Sequence, residues 1–346
     1  MEFETSFATA LKAIAPQLQR LLEDFGRSRV MLIGDLMVDE FVTGQVERFS
    51  REAPVLILRH ESTRQVPGGA ANAAYNLAKL GATVHVVGVV GDDAPGRVLL
   101  ESFARAGIKT HGVVVDSTRP TVTKTRIAGH ARQSVTQQIV RVDRKSDEPL
   151  DAAVRQSLVA AIQAQIATVD AVVCSDYGDG VFTESVIAAA LRHSCTVVDA
   201  QSNLERYWGA AWFTPNLPEA EQAVGYAIAT PEGLLQAGHD LLSLTHAHHI
   251  LITRGDEGMS LFSRDHPPQH IPAFNRTDVF DVTGAGDTVV AALTLGLIAG
   301  ASPWEAALLG NLAASIVVRK FGTATTTPDE METALQMMLE KLLQSS

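Results

Sequence analysis

Short runs of apolar, mostly β-branched residues alternate along the chain with longer segments in which apolar residues recur at helical spacing. The short runs are apolar throughout, as is typical of strands that are covered on both faces of a sheet. They occupy residues 30–33, 84–89, 171–174, 196–198, 211–213 and 249–253. The helical patterns lie near residues 70–80, 95–106, 150–168, 183–193, 217–224 and 231–245. This alternation predicts an α/β fold with a doubly wound, mostly parallel sheet and helices on both faces.

Two polar segments, residues 37–62 and 111–142, interrupt this rhythm. Both are rich in Val, Thr and Arg and have no helical period, and the stretches 55–58 and 121–127 within them are typical of strands. We expect the two insertions to come together as a small β-sheet lid. The lid would cover the carboxyl edge of the main sheet, where α/β proteins bind their ligands.

The two ends of the chain are predicted to be helices that flank one large domain. Residues 1–28 form an amphipathic N-terminal helix, residues 29–330 the main domain with its lid, and residues 331–346 a C-terminal helix. Near the end of the main domain, residues 289–301 are almost unbroken apolar sequence. This run is shorter than the ~20 residues that a membrane span needs, so we expect a buried core helix.

Charge and composition exclude several classes of partner. The 346 residues carry a formal net charge of −11, which argues against nucleic acid and anionic membranes as main partners. The N-terminus lacks the basic segment followed by an apolar core that is typical of a secretory signal, so we do not expect one there. The two cysteines, Cys174 and Cys195, lie in apolar runs and suggest reduced core thiols in a cytoplasmic protein.

A histidine cluster, His246, His248 and His249, resembles a metal site in composition. No cysteine or carboxylate falls at ligand spacing around it, so an ordinary helix-to-strand junction is the favoured interpretation.

The most informative stretch is residues 281–288, which reads DVTGAGDT and precedes the apolar run. Gly284, Ala285 and Gly286 let the backbone approach a ligand, and the helix N-terminus that follows offers unpaired N–H groups to an anion. Asp287 is then placed to take a proton from an attacking hydroxyl. The alternative is that Asp287 merely caps the helix after a glycine turn.

Two further motifs are candidates for binding a polyol. Asp35 follows the first strand and can accept hydrogen bonds from sugar hydroxyls, or it can be an ordinary turn aspartate. Gly68 and Gly69 allow close approach of a polyol, and Asn72 can both donate and accept hydrogen bonds. The alternative for this second motif is a glycine loop that leads into a helix.

Three more positions are candidates for binding a nucleotide and its metal. Asn216 and Glu219 share a face of a predicted helical turn and can hold hydrated Mg²⁺, or they can form a capping box. The run Thr253, Arg254 and Gly255 ends a strand and suits a nucleotide phosphate, or it forms a hairpin turn. Asn311 could line an adenine pocket together with residues 322–323, or it could belong to small-residue helix packing.

These motifs occur in the order found in the ribokinase-like (PfkB) family of carbohydrate kinases, and the resemblance covers residues 28–328. It rests on Gly-Asp after the first strand, Gly-Gly-x-x-Asn, Asn-x-x-Glu, Thr-Arg-Gly and Asp-x-x-Gly-x-Gly-Asp. The chain also resembles the D-glycero-β-D-manno-heptose 7-phosphate 1-kinases at residues 48–55, 175–180 and 321–325. One departure is Gln201, in a position where those kinases usually carry lysine.

The resemblance implies a ribokinase-like fold and transfer of the γ-phosphoryl group of ATP, with Mg²⁺, to a sugar or sugar phosphate. Asp287 would act as base, and the amides of Gly284, Ala285 and Gly286 would hold the transferring group. Asp35, Gly68, Gly69 and Asn72 would bind the sugar, Thr253, Arg254, Gly255 and Asn311 the nucleotide, and Asn216 and Glu219 the metal through water. Lid cations would hold a second phosphate on the substrate; the candidates are Arg48, Arg51, Lys124, Arg126, Arg132 and Arg141.

The same resemblance implies a homodimer that forms through the lid. Many relatives carry a fused nucleotidyltransferase with an H-x-G-H motif, which is missing from these 346 residues, so we expect a stand-alone kinase. The alternatives are another PfkB-type kinase, acting on ribose, fructose, a sugar acid or a nucleoside, and a non-catalytic sugar or nucleotide sensor. A nicotinamide-linked oxidoreductase is disfavoured because no G-x-G-x-x-G follows the first strand.

Overall fold

The computed structural model describes residues 2–131, 136–275, 279, 281–320 and 322–344, and the side chains from residue 7 to residue 341 within these ranges. Its strands in chain order are β1 Arg29–Gly34, β2 Leu36–Phe49, β3 Leu56–Gly69, β4 Thr83–Gly91, β5 Lys109–Asp116, β6 Val122–His130, β7 Gln137–Arg144, β8 Ala171–Asp176, β9 Thr196–Ala200, β10 Trp212–Phe213, β11 His249–Thr253, β12 Met259–Ser263 and β13 His266–Ile271. Its α-helices are α1 Glu2–Asp24, α2 Ala70–Lys79, α3 Ala94–Arg105, α4 Ala152–Gln165, α5 Glu184–Ala190, α6 Leu217–Val224, α7 Pro231–Thr245, α8 Ala285–Ile298, α9 Pro303–Val317 and α10 Pro328–Gln344.

The main sheet has the strand order β13-β12-β11-β10-β9-β8-β1-β4-β5. Strands β11 to β5 pair in parallel, whereas β12 and β13 add an antiparallel edge. All six apolar runs that predicted strands lie in this sheet, which confirms the α/β fold class. One prediction was wrong: residues 109–116 form β5, which pairs with β4 at the edge of the main sheet and does not belong to the lid.

Helices cover both faces of the main sheet, as predicted. One apolar core lies against α1, α2, α3, α8, α9 and α10, and a second core lies against α4, α5, α6 and α7. Leu11 and Leu18 of α1 are fully buried in the first core, and the N-terminal helix packs against α10. Helix α8 is buried along most of its length, as the apolar run predicted. Among the described residues, no helix combines the length and hydropathy that a bilayer crossing requires.

The lid is a four-stranded sheet with the order β3-β2-β6-β7. Strands β2 and β3, each of 14 residues, form a hairpin that pairs from Leu36 with Gly69 at its base to Phe49 with Leu56 at its tip. Strand β6 pairs in parallel with β2, so the sheet is mixed. The lid is longer than the predicted insertions, because β3 runs on to Gly69 and β7 to Arg144. A single residue, Asp35, separates β1 in the main sheet from β2 in the lid.

Candidate active site

The carboxylate of Asp287 lies at the centre of a buried polar network where the lid meets the main sheet. Asp287 occupies the first turn of α8, directly after Gly284, whose φ of 76° is left-handed. Its side chain accepts hydrogen bonds from Asn72 Nδ2 at 2.7 Å and from the Tyr177 hydroxyl at 2.9 Å. Asp287 therefore binds side chains of two other elements and does not cap its own helix.

Burial is the main influence on the ionisation of Asp287. Removal from water raises the pKa of this carboxyl to about 6, and the nearby charge of Asp39 adds to the rise. The hydrogen bonds from Asn72 and Tyr177 and the positive charge of Lys124 oppose it, because each of them stabilises the carboxylate. A carboxyl of this kind is ionised at neutral pH and still accepts a proton more readily than an exposed aspartate does.

Tyr177 was not among the predicted site residues, and Asp35 is the residue that positions it. The Asp35 carboxylate accepts backbone hydrogen bonds from Tyr177 at 2.8 Å, Asp179 at 3.1 Å and Val181 at 3.1 Å. Burial, with a smaller contribution from the charge of Asp176, raises the pKa of Asp35 to about 7. Asp35 thus orders the loop after β8, and its role in binding a sugar stays a prediction.

The glycine pair before α2 lets the lid pack against the start of that helix. A Cβ on Gly68 would lie 2.6 Å from Asp39 Oδ2, and Gly69, at φ 52°, lies against the side chain of Met37. Both of these neighbours are buried residues of β2. In this structure the two glycines bring the lid strand to the helix that carries Asn72.

A polar cleft of about 180 Å³ opens beside Asp287. Four carboxylates, from Asp176, Asp199, Glu219 and Asp287, line it. Asp199 was not predicted; burial, followed by the charges of Asp287 and Glu219, raises its pKa well above the ordinary range. Carboxylates around a polar cleft suit Mg²⁺, which keeps several waters when bound. No group of three or more His, Cys, Asp or Glu within the described ranges forms a closed metal site.

Asn216 and Glu219 line this cleft and also form the capping box of α6. Asn216 Oδ1 accepts from the Glu219 amide and Glu219 Oε2 accepts from the Asn216 amide, both at 2.9 Å. The two interpretations of this motif are compatible, because the carboxylate keeps a second oxygen.

A second cleft of about 410 Å³ adjoins the polar one, and Thr253 and Gly286 line both. Its other lining residues include Gly255, Ala285 and Asn311, together with the apolar side chains of Val282, Val289 and Val318. Asn311 Nδ2 donates to the Pro272 carbonyl at 2.7 Å, which fixes the amide in the cleft wall.

Arg254 does not join Thr253 and Gly255 in this cleft. Its guanidinium pairs with Glu257 and lines a separate hollow together with His270. Gly258, with a φ of 88°, lies so close to the Ile271 carbonyl that no other residue fits, and this tight turn connects β11 to β12.

The predicted lid cations divide into two groups. Lys124 Nζ lies 5.1 Å from the centroid of the Tyr177 ring, and Arg126 pairs with the buried Asp39 at 2.5 Å. Arg48, Arg51 and Arg141 are exposed on the hairpin tip and on β7. Arg132 and Phe321, which the resemblance also cited, fall outside the residues that the structure describes.

Gln201 lines the polar cleft, and the residues that share this lining in the described part of the chain include neither lysine nor arginine. Lys124 is a predicted cation whose charge acts on the Asp287 carboxylate and lowers its pKa.

The histidine cluster forms the junction between α7 and β11. His246, at a left-handed φ of 58°, ends the helix and stacks on Trp208. His249 stacks on Trp212 and its Nδ1 bonds with the Ser263 hydroxyl at 2.8 Å.

Comparison with known proteins gives a consistent result. Residues 27–330 match the family described as pfkB family carbohydrate kinase. The bifunctional protein HldE of Pelobacter propionicus is 45% identical over 314 residues, which is 89% of this chain and 63% of that protein. HldE of Geobacter metallireducens is 43% identical over 87% of this chain and 61% of its own length. The chain thus spans somewhat less than two thirds of these relatives.

Solved structures with the same fold are more distant in sequence. Arabidopsis thaliana ribokinase complexed with ribose and ATP superposes with a TM-score of 0.68 at 19% identity, over 90% of this chain and 99% of that one. Escherichia coli phosphofructokinase-2 in complex with potassium superposes with a TM-score of 0.72 at 19% identity, again over 90% of this chain and 99% of that one. These likenesses confirm the ribokinase-like fold.

Proposed function

Because the chain belongs to the pfkB family of carbohydrate kinases, we propose that it transfers the γ-phosphoryl group of ATP to O1 of D-glycero-β-D-manno-heptose 7-phosphate. The product would be the heptose 1,7-bisphosphate, a precursor of ADP-heptose for lipopolysaccharide. Support for the heptose comes from the motifs in residues 48–55 and 175–180 and from the HldE relatives.

The observation that carries the proposal is the buried Asp287 carboxylate at the start of α8, beside the polar cleft and bonded to Asn72 and Tyr177. Its pKa of about 6 leaves it ionised at neutral pH and able to take the proton of an attacking hydroxyl. A base placed in this way typically contributes ~10²–10⁴-fold in rate.

The backbone at the start of α8 would stabilise the transferring phosphoryl group. The amides of the first helical turn have no partner within the helix, and the space around Gly286 is open. Among the predicted amides of Gly284, Ala285 and Gly286, that of Ala285 already donates to the Val282 carbonyl at 3.1 Å, so we assign it a smaller share. We assign the main role to the amides of Gly286 and Asp287.

The two clefts would divide the nucleotide between them. The apolar walls of the 410 Å³ cleft, with Asn311, suit a base and ribose, and the polar cleft that shares Thr253 and Gly286 suits the phosphates. Mg²⁺, held through water by Glu219 and Asp199, would neutralise charge on the phosphate oxygens.

The lid would also mediate a cytoplasmic homodimer. Large apolar side chains stay exposed on it, including Phe49 at 67% and Val142 at 51%. Exposed apolar patches on a soluble domain mark interaction surfaces. Light scattering during gel filtration should give a dimer mass, and Phe49→Asp should shift it toward the monomer; a monomeric wild type would contradict this arrangement.

The first test is Mg²⁺- and ATP-dependent ADP release across heptose 7-phosphate, ribose, fructose and fructose 6-phosphate. Turnover confined to heptose 7-phosphate would support the full proposal, whereas another preferred sugar would leave the kinase and remove the heptose. Asp287→Asn should lower turnover at least ~100-fold in a folded protein. Near-normal turnover in that variant would remove Asp287 from the role of base.

A further inference from the structure

A third cavity, of about 540 Å³, lies between the base of the lid, α2 and α3. Asn72 forms part of its wall and donates to Asp287, and the Thr323 methyl group in the same wall would lie 3.4 Å from a Cβ on Gly284. Its lining residues are distinct from those of the two nucleotide clefts. The cavity therefore extends to Asn72, the residue that donates to Asp287, and it can hold an acceptor sugar beside that residue. Its volume is within the usual range of small-molecule sites, roughly 300–1,000 Å³.

Two arginines from different elements converge on this cavity. Arg64 comes from β3 and Arg105 is the last residue of α3. The Arg64 side chain is positioned by the lid: its Cζ lies 5.7 Å from the centroid of the Phe41 ring, and its Nη2 would lie 3.3 Å from a Cβ on Gly322.

Neither arginine has an acidic partner among the described residues. Two other lid arginines, in contrast, are already engaged: Arg126 pairs with Asp39, and Arg141 pairs with Asp143 on the exposed strand β7. The hydroxyl of Thr323 in the same cavity wall is buried and lacks a partner within the described ranges. The cavity thus offers two uncompensated positive charges and a spare hydroxyl in a chain of net charge −11.

Arginine presents a planar fork of donors that matches phosphate oxygens in pairs. An isolated exposed arginine would simply be solvated, but these two line one cavity whose wall also includes Asn72, the donor to Asp287. A sugar bound in this cavity would therefore have one end near Asp287 and the other near the arginines. The hydroxyl to be phosphorylated belongs at the Asp287 end, and an anionic group of the same sugar belongs at the arginine end.

We propose that Arg64 and Arg105 bind a phosphate monoester that the acceptor sugar already carries, at the end remote from the attacking hydroxyl. This inference rests on the proposed kinase function and makes the enzyme selective for a sugar phosphate over the parent sugar. It replaces the lid cations Arg48, Arg51 and Arg141 as the phosphate ligands.

The test is calorimetric binding of heptose 7-phosphate and of the unphosphorylated heptose to wild type, Arg64→Met and Arg105→Met. Each variant should weaken binding of the phosphorylated sugar tenfold or more and leave the parent sugar within twofold. The matched control is Arg97→Met, because Arg97 lies on the same helix as Arg105 and pairs with Asp92 at 3.4 Å.

Turnover provides the second measurement. The variants should raise KM for heptose 7-phosphate with kcat within about threefold of wild type, since neither arginine contacts the reacting atoms. Unchanged affinity, or an equal loss for both sugars, would overturn the inference. Tight, arginine-dependent binding without turnover would sustain the subsite and refute the kinase, whereas turnover of sugars without preference for a phosphate would keep the kinase and overturn the subsite.

Discussion

The hydrogen bond from Tyr177 to Asp287 lowers the pKa of this carboxyl, and its removal should change the pH profile of activity. Tyr177→Phe removes one of the two side-chain donors to the carboxylate and leaves the ring against which Lys124 lies. Asn72 still donates to the other oxygen. Because the lost bond stabilised the ionised form, we expect the pKa of Asp287 to rise above its wild-type value of about 6.

The size of this effect follows from the energy of a hydrogen bond to a charged group. Such a bond contributes about 1.5–3 kcal/mol, and one pH unit corresponds to about 1.4 kcal/mol. The acid limb of kcat/KM should therefore move upward by about one to two pH units. At pH 7 activity falls about two- to tenfold, since the ionised fraction of the wild-type carboxyl is about nine-tenths there. At pH 9 most of this activity returns.

The assay is ADP release measured from pH 5 to pH 9 with saturating ATP and Mg²⁺. Tyr226→Phe is the matched control, because the Tyr226 hydroxyl donates to Asp240 at 2.7 Å on the exposed surface. Its profile should coincide with that of the wild type. An acid limb that stays in place, or a loss of activity that is equal at every pH, would refute the assignment of this limb to Asp287.

Three further predictions follow from the same geometry. Asp287→Asn should raise the thermal unfolding midpoint at pH 8 but not at pH 4. The folded pKa of Asp287, about 6, exceeds its ordinary value of 3.8, so the wild-type protein loses up to about 3 kcal/mol of stability as the pH rises through that window. Equal midpoints of variant and wild type at pH 8 would contradict this. Gly284→Ala should abolish most turnover, because the new Cβ would lie 2.5 Å from Asn72 Nδ2. The control is Gly300→Ala, at φ 90° with open space around it, which should lose only the ~1–2 kcal/mol of folding stability that backbone strain costs. Similar kinetics for the two variants would refute the reasoning. Gln201→Lys should lower KM for ATP several-fold in the same kinetic assay by adding a cation to the polar cleft, and an unchanged KM would show that the cleft does not hold phosphate.

The main sheet was predictable because its inner strands are buried on both faces and so read as unbroken apolar runs. Strand β5 lies at the sheet edge, where exposed and buried positions mix, and its polar residues placed it with the lid insertion. The long strand β2 was missed for a related reason. It mixes apolar, acidic and small polar residues without regular alternation, and its burial decreases from its buried start to its exposed end, so only its neighbour's short run at 55–58 indicated a strand.

The helix start from Gly284 to Asp287 was predictable because its residues are consecutive, whereas the contact of Tyr177 with Asp287 was not, because only the fold brings those two residues together. Gly284 to Asp287 announce a helix start in the sequence itself. Tyr177 lies 110 residues earlier, and its hydroxyl reaches Asp287 only because Asp35 holds the loop after β8 in place. Arg254 shows the converse: its position at a strand end was correctly identified, but its pairing with Glu257 turns the guanidinium into another hollow.

The charge on Asp287 depends on the lid as well as on the main sheet. Asp39 on β2 raises its pKa and Lys124 on β6 lowers it, so two adjacent lid strands supply charges of opposite sign to one carboxylate. These two residues are partners in the β2–β6 register, and their effects oppose each other. Burial is the largest influence on this pKa. A lid variant that admits water to this site should therefore return the pKa of Asp287 toward its ordinary value, and the acid limb of the pH profile should move down even when Tyr177 and Asn72 are intact.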